Sequence, residues 1–205
     1  MTNNLSDKDR ARHNLRWQNL SHYICRRTNF QWADMRDCNL SGSDLQGADL
    51  ANANLWNSKL RGANLFGANL EGTHLKGATL IGANLKCARI ARADFDSAIM
   101  SGADFRHALG AKHANWTKAV LHGSNLSHLD LRGVHFGRVD LEGADLTGCN
   151  FTGARFIDAN LRGTIRDEAN FTDVQFLDVF LQPVQDIEQY IAQGWLDDHR
   201  KRTRD

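Results

Sequence analysis

Large apolar residues recur at every fifth position over most of this chain. The run is unbroken from Phe30 to Phe105, through residues such as Leu50 and Leu55. We call this large residue the centre of each five-residue unit. A small residue usually lies two positions before the centre, Asn or Asp often lies directly before it, and Gly often lies two positions after it. This period constrains the fold more than any other feature of the sequence.

A period of five fits neither standard secondary structure. Five residues advance an α-helix by about 500°, so the centres would spread around its whole circumference. Side chains alternate along a β-strand, so successive centres would point to opposite faces. The remaining solution is a chain that turns a corner in every unit, with the centre and the small residue both facing inward. Coils stacked at about 4.8 Å would bury a continuous column of centres, and Gly would relieve the tight corner.

Several units read Ala, then Asn or Asp, then Leu, as in Ala48-Asp49-Leu50, Ala63-Asn64-Leu65 and Ala83-Asn84-Leu85. They resemble the A-(D/N)-L-x-x motif of the pentapeptide-repeat family, and the resemblance covers about residues 13–181. The resemblance implies an all-β fold, a right-handed quadrilateral β-helix with four units in each coil and about eight coils. The period alone does not fix four units per coil.

The sequence divides into three parts. We expect an N-terminal cap or arm over residues 1–12, the repeat over residues 13–181, and a C-terminal helix with a basic tail over residues 182–205. The centres shift by one position after Phe105, which predicts a bulge in the register at residues 109–113. This bulge is either a one-residue corner or a loop offered to a partner. It comprises Leu109, Gly110, Ala111, Lys112 and His113.

The C-terminal segment has the spacing of a helix that caps the last coil. Pro183 suits the first turn of a helix and Gly194 its C-cap. An open solenoid end exposes apolar core and unpaired strand edges, so it needs a cover. The same segment could join two copies into a homodimer, as the resemblance to gyrase-binding members of the family implies. The predicted cap or dimer interface comprises Val184, Ile187, Tyr190, Ile191, Trp195 and Leu196, with Ile157 and Leu177 as the stacked patch that receives them.

No motif for catalysis, a cofactor or a metal is found in the sequence. It has neither a phosphate-binding loop nor a His-Glu-x-x-His motif. The four Cys lie far apart, without zinc-ligand spacing, and the nine His are scattered over outward positions. We therefore predict a protein that is not an enzyme and that has no cofactor, metal or small-molecule substrate.

The outward positions are unevenly charged. Residues 55–118 carry nine Lys or Arg and four Asp or Glu, a net of +5, whereas residues 119–181 carry five and nine, a net of −4. Outward aromatic residues are commoner at binding sites than elsewhere. With four units per coil, Arg26, Lys86 and Arg106 share one face with Phe66, whereas Trp56 lies on another face. Because these residues do not form a single patch, a solvated surface without a partner stays the alternative. The candidate partner surface comprises Trp56, Phe66, Arg26, Lys86 and Arg106.

Two functions stay open. The first is a rigid scaffold for protein–protein interaction. The second is binding to bacterial DNA gyrase or another type II topoisomerase by resembling DNA, as implied by the likeness to Qnr-type members that protect gyrase from inhibitors. Mostly Leu centres and balanced charge disfavour the second, whereas the acidic half favours it. Direct nucleic-acid binding is disfavoured because the basic charge is spread over four faces. A polar N-terminus and no long apolar run predict a cytoplasmic bacterial protein without a membrane partner.

Overall fold

The computed structural model describes residues 3–181, which form a stack of coils. Parallel backbone bridges pair Asn4 with Ile24 and Ile24 with Asp44, and this column of bridges continues to Ile165. Each bridge joins a residue to the equivalent residue four units further along the chain, so each coil has four sides. The β-helix solenoid is therefore confirmed, and the handedness that the resemblance implies stays a prediction.

The corners are β-turns that begin at the centres. In the unit that starts at Leu45, the Ala48 N–H donates to the Leu45 carbonyl oxygen at 2.9 Å, and Gly47 between them has a φ of 64°. A hydrogen-bonded turn with positive φ at its third residue is a type II turn, which favours Gly at that position. Other residues hold the same conformation elsewhere, such as Asn52 with a φ of 58°. The predicted place of Gly at the corner is confirmed.

Three corners in the C-terminal half open into short strands. They are β1 (His135–Gly137), β2 (Arg155–Ile157) and β3 (Gln175–Leu177), which form one parallel sheet in that order. The register places Phe156 between Phe136 and Phe176. Their rings stack with centroids 4.7 Å and 5.4 Å apart, so the strands continue the column of centres.

The interior is filled by the centres and by the small residues that precede them. All centres from Leu20 to Phe105 are buried, and Leu50, Leu55 and Leu60 have no exposed surface. Cys25, which interrupts the period of large residues, is fully buried as well. Burying a Leu side chain contributes about 1.5–3 kcal/mol, so the repeated centre supplies most of the apolar stabilisation. The predicted inward orientation is confirmed.

Where Asn or Asp stands before a centre, its side chain can hold the corner from outside, as Asn64 shows. Asn64 Oδ1 accepts a hydrogen bond from the Phe66 N–H at 3.3 Å, which closes an Asx turn. Its Nδ2 donates to Asp44 Oδ1 in the preceding coil, and its Oδ1 also accepts from Asn84 Nδ2 in the following coil, both at 3.1 Å. The polar residue of the motif therefore closes a turn and links three coils.

The register bulge lies where the sequence predicts it. Gly110 has a φ of 84°, and a 3₁₀ turn covers Ala111–His113. Bridges that span the bulge enclose one additional residue, as between Asp94 and Asn115. Ala111 is buried, and its carbonyl oxygen accepts a hydrogen bond from Trp116 Nε1 at 3.0 Å. The extra residue is thus packed into a corner, which favours the corner interpretation over a free loop.

The repeat begins earlier than the predicted boundary at residue 13. Asn4 and Asp9 already pair with residues of the next coil, so residues 4–12 are part of the stack and no separate arm. Arg10 takes a centre position in this first coil. Because Arg is polar, the period of large apolar residues does not include it. The stack therefore has about nine coils.

The predicted C-terminal helix and tail, residues 182–205, lie outside the described residues. Within residues 3–181 we find no helix that is long and apolar enough to cross a lipid bilayer.

Gly110→Ala should destabilise the protein more than Gly62→Ala does. Both positions have positive φ, 84° and 63°, where a Cβ costs about 1–2 kcal/mol. At Gly110 the new Cβ would also lie 2.6 Å from Ala91 Cβ and 2.9 Å from Ala91 Cα, whereas nothing lies within 4 Å at Gly62. Urea unfolding followed by circular dichroism should show an additional loss of at least about 1 kcal/mol for Gly110→Ala. Equal losses in the two variants would contradict the packed corner.

Candidate functional site

A partner can meet three outward positions in each unit: the residue before the centre and the two residues after it. Equivalent positions in successive coils form columns along the stack, as Asn14, Asp34 and Asn54 do. A functional site on this protein is therefore built from neighbouring columns, so its residues lie far apart in the sequence.

Several ion pairs between coils share one geometry. The residue after one centre reaches the residue before the centre of the next coil, because these two positions lie against each other in the stack. The pairs that show it are Arg26 with Asp44 at 2.6 Å, Glu71 with Arg89 at 2.7 Å, Lys86 with Asp104 at 3.1 Å, and Lys112 with Asp130 at 3.3 Å. Much of the outward charge is thus neutralised within the protein.

The predicted partner surface is only partly brought together. Phe66 shares a column with Arg26, Lys86 and Arg106, and Trp56 lies on the opposite side of the coil. Arg26 is paired with its neighbouring coil, and Lys86 and Arg106 both pair with one carboxylate. Because these cations are already engaged, Phe66 and Trp56 are the residues of this set that are free for a partner, with 40% and 46% of their surface exposed.

Three Trp side chains are exposed together at the N-terminal end of the stack. Trp17, Trp32 and Trp56 expose 69%, 58% and 46% of their surface. Trp17 and Trp56 lie at one corner, two coils or about 10 Å apart, and Trp32 lies at the adjacent corner in the coil between them. We call these three residues, with the side of the coils that they flank, the tryptophan face. That side carries the column Asn14, Asp34 and Asn54.

Two of these Trp hold a strained backbone. Trp17 and Trp32 have φ values of 65° and 59°, at the corner position where Gly recurs. A bulky residue in this conformation costs about 1–2 kcal/mol, and an exposed indole gives no burial in return. No other large apolar residue within residues 3–181 has a positive φ. Twenty non-glycine residues within residues 3–181 have a positive φ, and Trp17 and Trp32 are the two among them that combine it with a large exposed apolar side chain.

Positive charge surrounds the tryptophan face. The Arg16 guanidinium lies 5.8 Å from the centroid of the Trp17 ring, and Arg36 forms two hydrogen bonds to the Asp34 carboxylate. Neither Arg12 nor Arg16 has an ion pair within the described part of the chain. On this side of the three coils and at its two corners, Arg12, Arg16 and Arg36 outnumber Asp34 and Asp37, a net of +1. The face thus combines exposed indoles with an excess of cations.

The other predicted site residues form no single cluster. Ile157 and Leu177, the predicted patch that would receive the C-terminal cap, are paired on β2 and β3. Leu177 is 54% exposed. In the bulge, Leu109 is exposed whereas Ala111 is buried, and Lys112 is engaged with Asp130. The remaining cap residues lie outside the described residues: Val184, Ile187, Tyr190, Ile191, Trp195 and Leu196.

One group of metal-ligating side chains is found within residues 3–181. A ligand atom from each of His122, Asp140 and Glu142 lies within 4.8 Å of the other two. The sequence pattern did not reveal this group, because its members come from two different coils and their spacing matches no short motif. It also missed Trp17 and Trp32, although every residue two positions after a centre belongs to an outward corner.

The comparisons with known proteins agree on one family of repeats. The family model described as pentapeptide repeats matches eight copies in the chain, over residues 24–62, 43–80, 58–90, 73–109, 111–138 and 135–173. A search of curated proteins gave no match.

The search of solved structures found several similar chains, among them HetL and QnrB1. HetL, a pentapeptide repeat protein involved in heterocyst differentiation regulation from the cyanobacterium Nostoc sp. strain PCC 7120, is 29% identical over 84% of this chain and 80% of its own, with a TM-score of 0.52. QnrB1, a plasmid-mediated fluoroquinolone resistance protein, is 20% identical over 82% of this chain and 90% of its own, with a TM-score of 0.41.

Asp104→Asn should destabilise the protein at pH 7 and have little effect near pH 2. Burial alone would raise the pKa of Asp104, but hydrogen bonds from Arg106 and Lys86 outweigh it and lower the pKa to about 2. Stability from such a carboxylate is present above the unfolded pKa of about 3.9 and is lost as the pH falls through the folded value. We expect a loss of about 1–2 kcal/mol at pH 7 by urea unfolding. A difference that stays the same down to pH 2 would contradict this pairing.

Proposed function

This chain belongs to the pentapeptide-repeat family, and on that premise we propose that it is a rigid, non-enzymatic scaffold that binds a protein partner through the tryptophan face. The observation that carries the proposal is the concentration of three exposed Trp on one side of three adjacent coils. The interior of these coils is filled by centres that are buried from Leu20 onward and partly buried at Leu5 and Leu15, so we expect binding on the outer surface.

The energetics of Trp support this choice of surface. A Trp side chain buries about 150–250 Å² when fully covered, so covering the exposed parts of three would remove on the order of 300 Å² of mostly apolar surface. Trp and Arg are among the residues most enriched where binding energy is concentrated. Because the face is built on hydrogen-bonded corners of the stack, little ordering of the backbone would accompany binding.

The charge of the face indicates the chemistry of the partner. Arg12 and Arg16 lie beside the indoles without an ion pair in the described residues, and the outward positions of the face have a net charge of +1. The complementary partner is a protein surface that presents apolar side chains bordered by carboxylates. Carboxylates at the border would speed association, and the indoles would supply affinity.

Trp17→Asn and Trp32→Asn should keep the fold and lose the partner. Asn tolerates positive φ far better than Trp, so the free energy of unfolding should stay unchanged or rise by up to about 1 kcal/mol. Binding should weaken at least about tenfold. The measurements are urea unfolding and capture of proteins from a lysate of the source organism by the immobilised chain, quantified by mass spectrometry.

Phe66→Asn is the matched control for this experiment, because it removes an exposed aromatic residue from another face. It should leave capture unchanged. Equal capture by the wild type and by the double variant Trp17→Asn/Trp32→Asn would contradict the proposed surface, and loss of capture with Phe66→Asn would move the surface to that face.

Binding to bacterial DNA gyrase is the second candidate function. The net charge of −4 over residues 119–181 favours it, because a homodimer joined through residues 182–205 would place this charge at the middle of a longer rod. The positive N-terminal coils and the mostly Leu centres disfavour it. A gyrase supercoiling assay with and without a quinolone tests gyrase binding, and no effect at micromolar protein excludes it.

Light scattering tests the homodimer, and a monomer at high protein concentration excludes the homodimer.

We also propose that residues 182–205 contain a helix, followed by a basic tail, and that this helix covers the last coil. Leu177 and Phe180 in that coil expose 54% and 53% of their surface, which is the apolar patch that such a helix would cover. Either use of the segment, cap or dimer contact, would bury the same patch.

A further inference from the structure

In this stack, the residue after one centre lies against the two residues that flank the stacked centre in the next coil. Three outward side chains meet at such a place. We call this arrangement a junction. Junctions with a carboxylate before the second centre can be compared directly, since the backbone is the same in each. Four of them are Arg26/Asp44/Gln46, Lys86/Asp104/Arg106, Lys112/Asp130/Arg132 and His122/Asp140/Glu142.

The His122 junction differs from the other three in its charge. Asp104 is held by Lys86 and Arg106, and Asp130 is likewise held by two cations. In the His122 junction two carboxylates, Asp140 and Glu142, share one histidine. With histidine counted as neutral, this junction has two negative charges and no positive charge, where the other three have at least one cation for their carboxylate.

The carboxylates of this junction are already oriented. Asn160 Nδ2, in the following coil, donates to Asp140 Oδ1 at 2.9 Å and to Glu142 Oε2 at 3.1 Å. Asp140 Oδ1 also accepts from the Glu142 N–H at 3.3 Å. These bonds leave Asp140 Oδ2 directed at His122 Nε2, 2.5 Å away. Side chains that orient metal ligands from behind in this way are a usual part of metal sites.

The nearest arginine in the same column does not fill the junction. Arg162 follows Glu142 by one coil, but its guanidinium lies 5.4 Å from the centroid of the Phe180 ring. No ion pair between Arg162 and Glu142 is found within residues 3–181. The column that carries Asp140 is apolar on the preceding side, where Val120 and Ile99 occupy it, so within the described residues this column brings no cation to Asp140 from that side.

We propose that His122, Asp140 and Glu142 bind a Zn²⁺ ion on the outside of the acidic half. One imidazole nitrogen and two carboxylate oxygens are ligands that Zn²⁺ accepts at about 2.0–2.2 Å, and water would complete the coordination. The imidazole selects Zn²⁺ over Mg²⁺ and Ca²⁺, which prefer oxygen ligands. The ion would replace the hydrogen bond between His122 and Asp140 and would join two neighbouring coils.

Isothermal titration of the chelator-treated full-length chain with ZnCl₂ tests this site. All proteins carry Cys87→Ser, because Cys87 is exposed and its thiol would compete for the metal. We expect one site with a dissociation constant in the micromolar range, at least tenfold weaker in His122→Ala and in Glu142→Gln. His128→Ala removes another exposed histidine of the same half and should bind as the parent does.

Two further measurements make the result decisive. Zn²⁺ should raise the melting temperature of the parent and of His128→Ala but not of His122→Ala, each compared with the same protein without metal. Co²⁺ should give visible absorption bands that His122→Ala lacks. Binding weaker than millimolar, equal binding of Zn²⁺ by His122→Ala, or equally tight binding of Mg²⁺ would each overturn the proposal.

Discussion

Backbone hydrogen bonds between successive coils are the interaction on which the rest of the structure depends. The Leu45 N–H donates to the Asn64 carbonyl oxygen of the next coil at 2.8 Å, and the Asn64 N–H donates back to the Ser43 carbonyl oxygen at 2.9 Å. Each unit thus bonds both to the coil before it and to the coil after it. Since a coil closes after four units, every centre lies over another centre, and the apolar column forms as a consequence of this register.

This register separates the residues that build the protein from those that can serve a function. Centres and small residues are fixed by packing, so outward positions are free to vary once the corner is formed. The corners tolerate strain because they are bonded on both sides, and Trp17 and Trp32 can hold a positive φ there. Stability lost at such a corner is offset elsewhere in the stack, and this allows a binding face on a protein that is otherwise regular.

The sequence period was sufficient to predict which residues face inward. Leu50 and Leu55 are buried as predicted, and the bulge at 109–113 is where the register shifts. The contacts between outward residues could not be derived in the same way, because they depend on the number of units per coil, which a period of five leaves open. The pairing of His122 with Asp140 follows only from a coil of four units.

The first coil shows a different limit of the sequence pattern. Arg10 occupies a centre position in the first described coil, where its side chain is only partly buried. A polar residue is acceptable at this position, so the period of large apolar residues begins later in the sequence than the stack of coils does.

The most direct test of this account measures distances along the stack by electron paramagnetic resonance. Nitroxide labels at Arg61 and Arg162, and at Ser21 and Arg162, would be placed on one column in the Cys87→Ser background, since the other Cys are buried. The pairs are five and seven coils apart, so the mean distances should be about 24 Å and 34 Å. Distances that fail to differ by about 10 Å would contradict a coil of four units and with it every contact between outward residues.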